Sequence, residues 1–182
     1  MRRFLSLPVA ALLLVACSGD ATAPEAALAG GATAAAQPAD RCVNVEHAGL
    51  AYLDPFVELP DGLIGLGADW TPTTLGPYQG EMASVVTQQR FTGANGQGAA
   101  HWELVHAFRL DDDNWFLTHD RAVCAPAGSD PTTCRVNDVL TITGGVGIFA
   151  NATGQLRNQG VIDLANFTLT TDIRGRVCGD GI

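Results

Sequence analysis

The chain has 182 residues, of which 47% are hydrophobic and 16% charged, and its 21 Gly follow no three-residue period. This length suits one domain, and the composition excludes wholesale disorder and a collagen helix. Ten basic and nineteen acidic residues give a formal net charge of −9. That balance argues against nucleic acid or an anionic membrane surface as the partner. No basic residue is Lys, which excludes a Schiff-base enzyme and a P-loop.

The N-terminus has the layout of a secretory signal. Two Arg precede a thirteen-residue apolar run that ends at Ala16. As a helix this run covers about 20 Å, less than a bilayer core of roughly 30 Å. The segment Leu-Val-Ala-Cys at 14–17 resembles the lipobox of bacterial lipoproteins. The resemblance implies that residues 1–16 are removed as a signal peptide and that Cys17 carries the lipid. Because Ser18 follows, it also implies sorting to the outer membrane, on the periplasmic or surface face. The alternative is an ordinary signal peptide with an unrelated Cys.

Residues 17–40 are rich in Ala, with Gly, Thr and Pro interspersed, and they show no apolar period. We interpret them as the lipidated Cys followed by a flexible linker. The folded domain is therefore expected over residues 41–182.

Four cysteines remain in that domain: Cys42, Cys124, Cys134 and Cys178. An even number in an exported protein indicates two disulfides. Cys124 and Cys134 flank a loop of turn-forming residues, which favours a local bridge between them. Cys42 and Cys178 would then join the first and last strands. A zinc site is the alternative, but no Cys-x-x-Cys spacing supports it.

Period-two hydrophobic patterns recur after residue 41, and helical periodicity is nearly absent. In the segment 167–177, for example, Phe167, Leu169, Ile173 and Val177 share one face. The sequence predicts eight strands, at 42–49, 62–70, 79–91, 102–110, 115–124, 135–143, 154–164 and 167–177. Such a series favours an all-β fold in which an up-and-down antiparallel sheet closes into a barrel, since closure removes both edges. A β-sandwich has the same pattern and is the alternative.

The second half of the domain carries a motif that supports the barrel. Residues 145–154 read Gly-Val-Gly-Ile-Phe-Ala-Asn-Ala-Thr-Gly, and residues 160–164 read Gly-Val-Ile-Asp-Leu. This pattern resembles the allene oxide cyclase and dirigent superfamily of β-barrels over about residues 140–178. The resemblance implies that the Gly-rich segment crosses one barrel end and plugs it with Phe149. The active-site residues of the cyclase branch have no residue-by-residue match in this chain.

The most suggestive polar residues lie on the predicted hairpin around 111–114. If its turn centres on residues 112–113, His106 faces His119 and Arg121 lies one pair further along the same inward face. Two imidazoles and a guanidinium there would suit an anionic ligand group or acid–base work. The alternatives are hydrogen bonds within a mixed core, or a bulge that shifts the register. No third metal ligand accompanies the two His, so neither a metal nor a cofactor is predicted, and no catalytic residue is assigned.

The sequence thus predicts a membrane-anchored bacterial lipoprotein with a small disulfide-linked β-barrel. We expect the barrel to be non-catalytic, either binding a small apolar or anionic molecule or acting as an envelope or surface module. The alternatives are an isomerase- or cyclase-like enzyme in the barrel cavity, and a structural or partner-binding module whose barrel is filled by its own side chains.

Overall fold

The computed structural model describes residues 41–92 and 98–182, and over these residues the fold is all-β. The predicted signal peptide, Cys17 and the linker lie outside the described residues. Eight strands run β1 Arg41–Glu58, β2 Ile64–Leu75, β3 Tyr78–Phe91, β4 Ala100–Asp111, β5 Asn114–Ala127, β6 Asp130–Val146, β7 Thr153–Asp163 and β8 Thr168–Gly179. A single 3-10 turn, Gly147–Phe149, lies between β6 and β7. No helix among the described residues has the length and apolar character needed to cross a membrane.

The strands form a closed antiparallel barrel in the order of the chain. Each strand pairs with the next, and β1 pairs with β8 from Arg41↔Gly179 to Tyr52↔Thr168. This ladder confirms the predicted barrel and excludes the sandwich for the described residues, because a sandwich would leave β1 and β8 as edges.

All eight predicted strands are present, but some bounds differ. β1 extends nine residues beyond the prediction, to Glu58, and β2 continues to Leu75. The prediction for Phe167 is wrong: this residue lies in the turn before β8, with φ 52°, and is 62% exposed. Turn geometry, rather than the period-two pattern, fixes the orientation of its side chain.

One end of the barrel is filled by large side chains, and we call it the plugged end. The 3-10 turn places Phe149 there, fully buried against Phe116 with ring centroids 5.0 Å apart. Phe116 in turn stacks on Phe108 at 4.8 Å. Gly147 makes this turn possible, because it has φ 61° and a Cβ there would lie 2.2 Å from the Asp113 carbonyl oxygen. Phe149 therefore fills the plugged end of the barrel.

The opposite end, the open end, is lined by smaller residues. Four strands place Ala in its interior cluster, where Leu, Val, Ile and Cys complete the lining. The alanines are Ala51, Ala68, Ala100 and Ala122. Because Ala fills little of a barrel cross-section, space remains at this end that the plugged end lacks.

The four cysteines form the two predicted disulfides. Cys42 bonds to Cys178 with Cα atoms 4.0 Å apart, which links β1 to β8. Cys124 bonds to Cys134 with Cα atoms 5.4 Å apart, which links β5 to β6 at the open end. The pairing chosen from the sequence is confirmed, and no cysteine among these four is available to ligate zinc.

We expect the two disulfides to contribute unequally to stability. Their sequence separations are 136 and 10 residues, so loop-closure entropy assigns about 5 kcal/mol to Cys42–Cys178 and about 3 kcal/mol to Cys124–Cys134. Paired Cys→Ala variants, unfolded in urea, measure each contribution, with thiol titration to verify that the remaining disulfide is intact. An equal or reversed order would contradict the entropic explanation.

Candidate functional site

A layer of buried polar side chains crosses the middle of the barrel, and every strand contributes to it. Along β4, for example, His106 stands between Leu104 of the open-end cluster and Phe108 of the plugged-end cluster. We call the set the polar layer: His47, Thr73, Ser84, His106, Thr118, Asp120, Asp138, Asn158 and Thr171. Buried polar groups are costly unless they are hydrogen-bonded, so their partners decide what the layer does.

Part of the layer is held by side-chain hydrogen bonds. The Nδ1 atom of His106 and the Oδ2 atom of Asp120 form a hydrogen bond of 2.6 Å, and the Thr118 hydroxyl donates to the same Oδ2 at 2.8 Å. The His106 backbone N–H donates to the Thr118 hydroxyl at 3.3 Å. Elsewhere the Thr171 hydroxyl donates to Asn158 Oδ1. These bonds hold His106 and Asp120 in one orientation between β4 and β5.

Asp138 is the member of the layer with the fewest hydrogen bonds. It is 5% exposed, and neither carboxylate oxygen makes a hydrogen bond of normal geometry. Burial raises the pKa of Asp138 to about 6, since the nearby His106 charge only partly offsets the loss of solvation. Asp120 likewise has one oxygen, Oδ1, without a partner. The layer therefore contains buried carboxylate oxygens that accept no hydrogen bond of normal geometry from the described part of the chain.

Two opposing effects act on the pKa of His106. Burial lowers it, but the hydrogen bond to Asp120 and the charges of Asp120 and Asp138 outweigh burial, and the net direction is upward. A protonated His106 beside two ionised carboxylates would leave the cluster with one net negative charge. The interior thus favours cations or hydrogen-bond donors over anions.

The unpaired carboxylate lies against a cavity of about 70 Å³ in the open half of the barrel. Apolar side chains form most of its wall, and the polar contribution comes from the layer, including His106, Asp138 and Asn158. Trp102 also lines it, and its Nε1 atom has no hydrogen-bond partner. A cavity of this size holds a few water molecules or the head of a ligand.

A wider chamber of about 550 Å³ adjoins this cavity at the open end. The two spaces share Leu66, Trp102 and Leu164 in their linings. The chamber is mainly apolar and includes the Cys124–Cys134 disulfide. The cavity and the chamber are neighbouring spaces that have these three side chains in common, and we call the pair the passage.

The predicted pairing of His106 with His119 is wrong. The turn at 112–113 forms as expected, and Asp111 pairs with Asn114. The next pair is Arg109 with Trp115, so Leu110 on β4 has no opposite residue on β5 and forms a β-bulge. This bulge moves the register by one residue, so His106 faces Thr118. Because side chains alternate between faces, the inward set on β5 becomes Phe116, Thr118, Asp120, Ala122 and Cys124.

His119 and Arg121 therefore lie on the outer face of the barrel. Their side chains are 51% and 84% exposed, and both approach Glu103, at 3.9 Å and 3.8 Å. Of the three predicted ligand-binding residues, the structure places only His106 inside the barrel. The basis for expecting an anionic ligand, which required His119 and Arg121 to face inward, is removed.

Asp120 and Asp138 were not identified from the sequence. Thr118, Asp120 and Ala122 follow a period-two pattern with Phe116, but Leu117 and Val123 give the other face a similar apolar character. Asp138 lies between Val136 and Leu140 in a pattern that the predicted strand at 135–143 already contained. The position of Asp138 on the apolar face of the predicted strand could have identified it, because an acid on a core face requires a partner or a function.

His47 faces the same layer from β1. Its Nδ1 atom lies 2.9 Å from the Pro72 carbonyl oxygen, and its Nε2 atom has no partner. Burial lowers its pKa, the bond to Pro72 acts in the opposite direction, and smaller effects come from His106 and Asp172. Pairing Nδ1–H with a carbonyl suits the neutral imidazole, so His47 is neutral near pH 7.

This environment predicts a pH dependence of stability. The folded-state pKa of His47 lies below its ordinary value of 6.5, so the unfolded chain takes up a proton first as the pH falls. The contribution of His47 is therefore fully present above about pH 6.5 and is lost below it. We expect the free energy of unfolding of His47→Asn to decrease less than that of the wild type from about pH 7.5 to about pH 5.

Urea unfolding at each pH measures this difference, with His119→Asn as the control at an exposed position. An identical pH profile for His47→Asn and the wild type would show that His47 titrates alike in the folded and unfolded chains.

No protein-family model, no curated protein and no solved structure matches this chain. Its function must therefore be inferred from its own residues.

Proposed function

We propose that this chain is a lipid-anchored bacterial envelope protein whose barrel binds a small, mostly apolar molecule without transforming it. The observation that carries the proposal is a pair of neighbouring spaces: a mainly apolar chamber of about 550 Å³ at the open end, and a cavity of about 70 Å³ beside the polar layer. Together these spaces have the size and lining of small-molecule sites, which are mainly apolar with a few convergent polar groups.

The surface around the passage supports entry of an apolar ligand. Three large apolar side chains in the wall of the chamber are exposed: Leu66 at 47%, Phe91 at 58% and Leu164 at 48%. Exposed apolar side chains grouped at a pocket are typical of binding sites rather than of ordinary surface.

The floor of the passage indicates how the ligand is oriented. Asp138 offers unpaired acceptors and Trp102 Nε1 offers an unpaired donor, and both line the cavity. A ligand whose polar head donates a hydrogen bond to Asp138 would satisfy a group that otherwise remains unpaired. We therefore infer an apolar molecule with a neutral or cationic donor at one end.

Binding of the neutral probe N-phenyl-1-naphthylamine tests this site. We expect fluorescence enhancement with the wild type, and at least tenfold weaker binding by Ala68→Leu, which fills the cavity, and by Ala100→Met, which narrows the chamber. Each variant adds bulk where the structure has only a methyl group. Thermal melting establishes that both variants remain folded.

Val139→Leu is the matched control, because it adds bulk at a 44% exposed position outside the passage. If both interior variants bound the probe as the wild type does, the probe would be on the outer surface. The barrel would then be a structural or partner-binding module.

The anchor is supported by the sequence at 14–17 and by the Ala-rich residues 17–40 that precede β1. We expect Cys17→Ser to move the protein from the membrane fraction to the soluble fraction, because the lipid is attached through the Cys sulfur and supplies the membrane affinity. Fractionation of cells, with separation of inner and outer membranes, measures this. Membrane association that persists in Cys17→Ser would contradict the lipobox assignment.

An isomerase- or cyclase-like activity is the second candidate. It is favoured by one observation: a carboxyl group with a pKa of about 6, Asp138, lies at the cavity beside the paired His106 and Asp120. Such a group can exchange protons near neutral pH. Turnover of a bound ligand would distinguish this activity from simple binding.

A further inference from the structure

Three side chains of the polar layer form a compact set of donor atoms. A ring nitrogen of His106 and one carboxylate oxygen each of Asp120 and Asp138 lie within 4.8 Å of one another, and all three residues are buried. They come from the consecutive strands β4, β5 and β6, whose ladders fix their spacing. We call this set the His–Asp–Asp triad.

The triad has donor atoms that the protein leaves unused. The existing hydrogen bonds from His106 and Thr118 both go to Asp120 Oδ2. Asp120 Oδ1 and both oxygens of Asp138 lack such partners, although the two residues are 1% and 5% exposed. Burying a carboxylate that accepts no hydrogen bond costs free energy, and a bound cation would offset that cost.

Charge also favours a divalent ion. Metal-ligating His is neutral and ligating carboxylates are ionised, so the triad would bring two negative charges to the ion. A divalent cation would bring the interior site to neutrality, whereas a monovalent cation would leave one buried charge. The exposed Arg121 and His119 side chains lie on the other face of the sheet, beside Glu103.

We propose that the His–Asp–Asp triad binds one divalent first-row transition-metal ion between strands β4, β5 and β6. One imidazole and two carboxylates form a donor set that suits Zn²⁺ or Mn²⁺ better than a soft ion. Two donors on one ion at about 2.0–2.2 Å lie at most roughly 4.4 Å apart, so small side-chain movements would close the triad.

A metal ion with three protein ligands needs water at its remaining coordination positions, and the cavity has space for it. His106 and Asp138 both line the space of about 70 Å³, which has room for several water molecules at the remaining coordination positions. The inference does not rest on the proposed apolar ligand, although both use Asp138: an ion bound there would occupy the acceptors that the polar head of that ligand is proposed to meet.

Metal binding to the full chain, purified in detergent and stripped with a chelator, tests the proposal directly. Equilibrium dialysis against Zn²⁺ with elemental analysis should give one ion per chain, and Co²⁺ should give a visible d–d spectrum. We expect His106→Gln, Asp120→Asn and Asp138→Asn each to weaken Zn²⁺ binding at least tenfold and to change the Co²⁺ spectrum.

Two variants serve as controls for surface binding. His119→Gln removes an exposed imidazole, and Asp112→Asn alters the exposed acidic turn. Both should bind as the wild type does. Melting curves of the chelated variants establish folding, and Asp138→Asn should retain the fold because its carboxylate supports no hydrogen bond of normal geometry.

Either of two results would overturn the proposal. One is the absence of stoichiometric Zn²⁺ and Co²⁺ binding by the wild type. The other is binding that the triad variants leave unchanged while Asp112→Asn or His119→Gln reduces it, which would assign the ion to the surface. Probe binding by the chelated wild type is measured separately, so a failed metal site and a failed apolar site are distinguishable.

Discussion

Closure of the barrel by the ladder between β1 and β8 is the constraint on which the other features depend. Once Arg41 pairs with Gly179 and Tyr52 with Thr168, alternate residues of all eight strands must share one interior. Where that interior is packed to exclude water, an inward side chain is stable when it is apolar, paired, or in contact with something bound. The Cys42–Cys178 bond lies on this same ladder and covalently closes the barrel.

Within that interior the two ends have different compositions. Phe108, Phe116 and Phe149 fill one end, whereas alanines on four strands leave space at the other. The polar layer lies between the two ends. Its unpaired acceptors face the cavity on the open-end side, and apolar side chains form the rest of the cavity wall. A low-dielectric wall strengthens each electrostatic interaction made at the layer. This is why a few side chains, Asp138 above all, can dominate what the passage binds.

Asp138 adds to this pattern a group whose presence is unfavourable to folding. A buried carboxylate without a normal hydrogen bond costs free energy, and its raised pKa of about 6 expresses that cost. An apolar residue at this position would fill the core more favourably. An acid at this position is better explained by something that it binds than by stability.

Closure into a barrel rather than a sandwich was decided by the ladder between β1 and β8. The sequence by itself determined the strand count and the all-β class, and it favoured the disulfide pairing and the inward position of His106. These follow from local patterns: period-two hydrophobicity, turn residues and cysteine spacing. The polar partners of His106 were decided only by the tertiary structure. One extra residue at Leu110 shifts β5 by a single position, which turns His119 and Arg121 outward and Asp120 inward. A bulge depends on how the whole sheet twists and closes, so no short pattern encodes it. Asp138 approaches these residues through the pairing of β5 with β6, a contact that exists only when the sheet has formed.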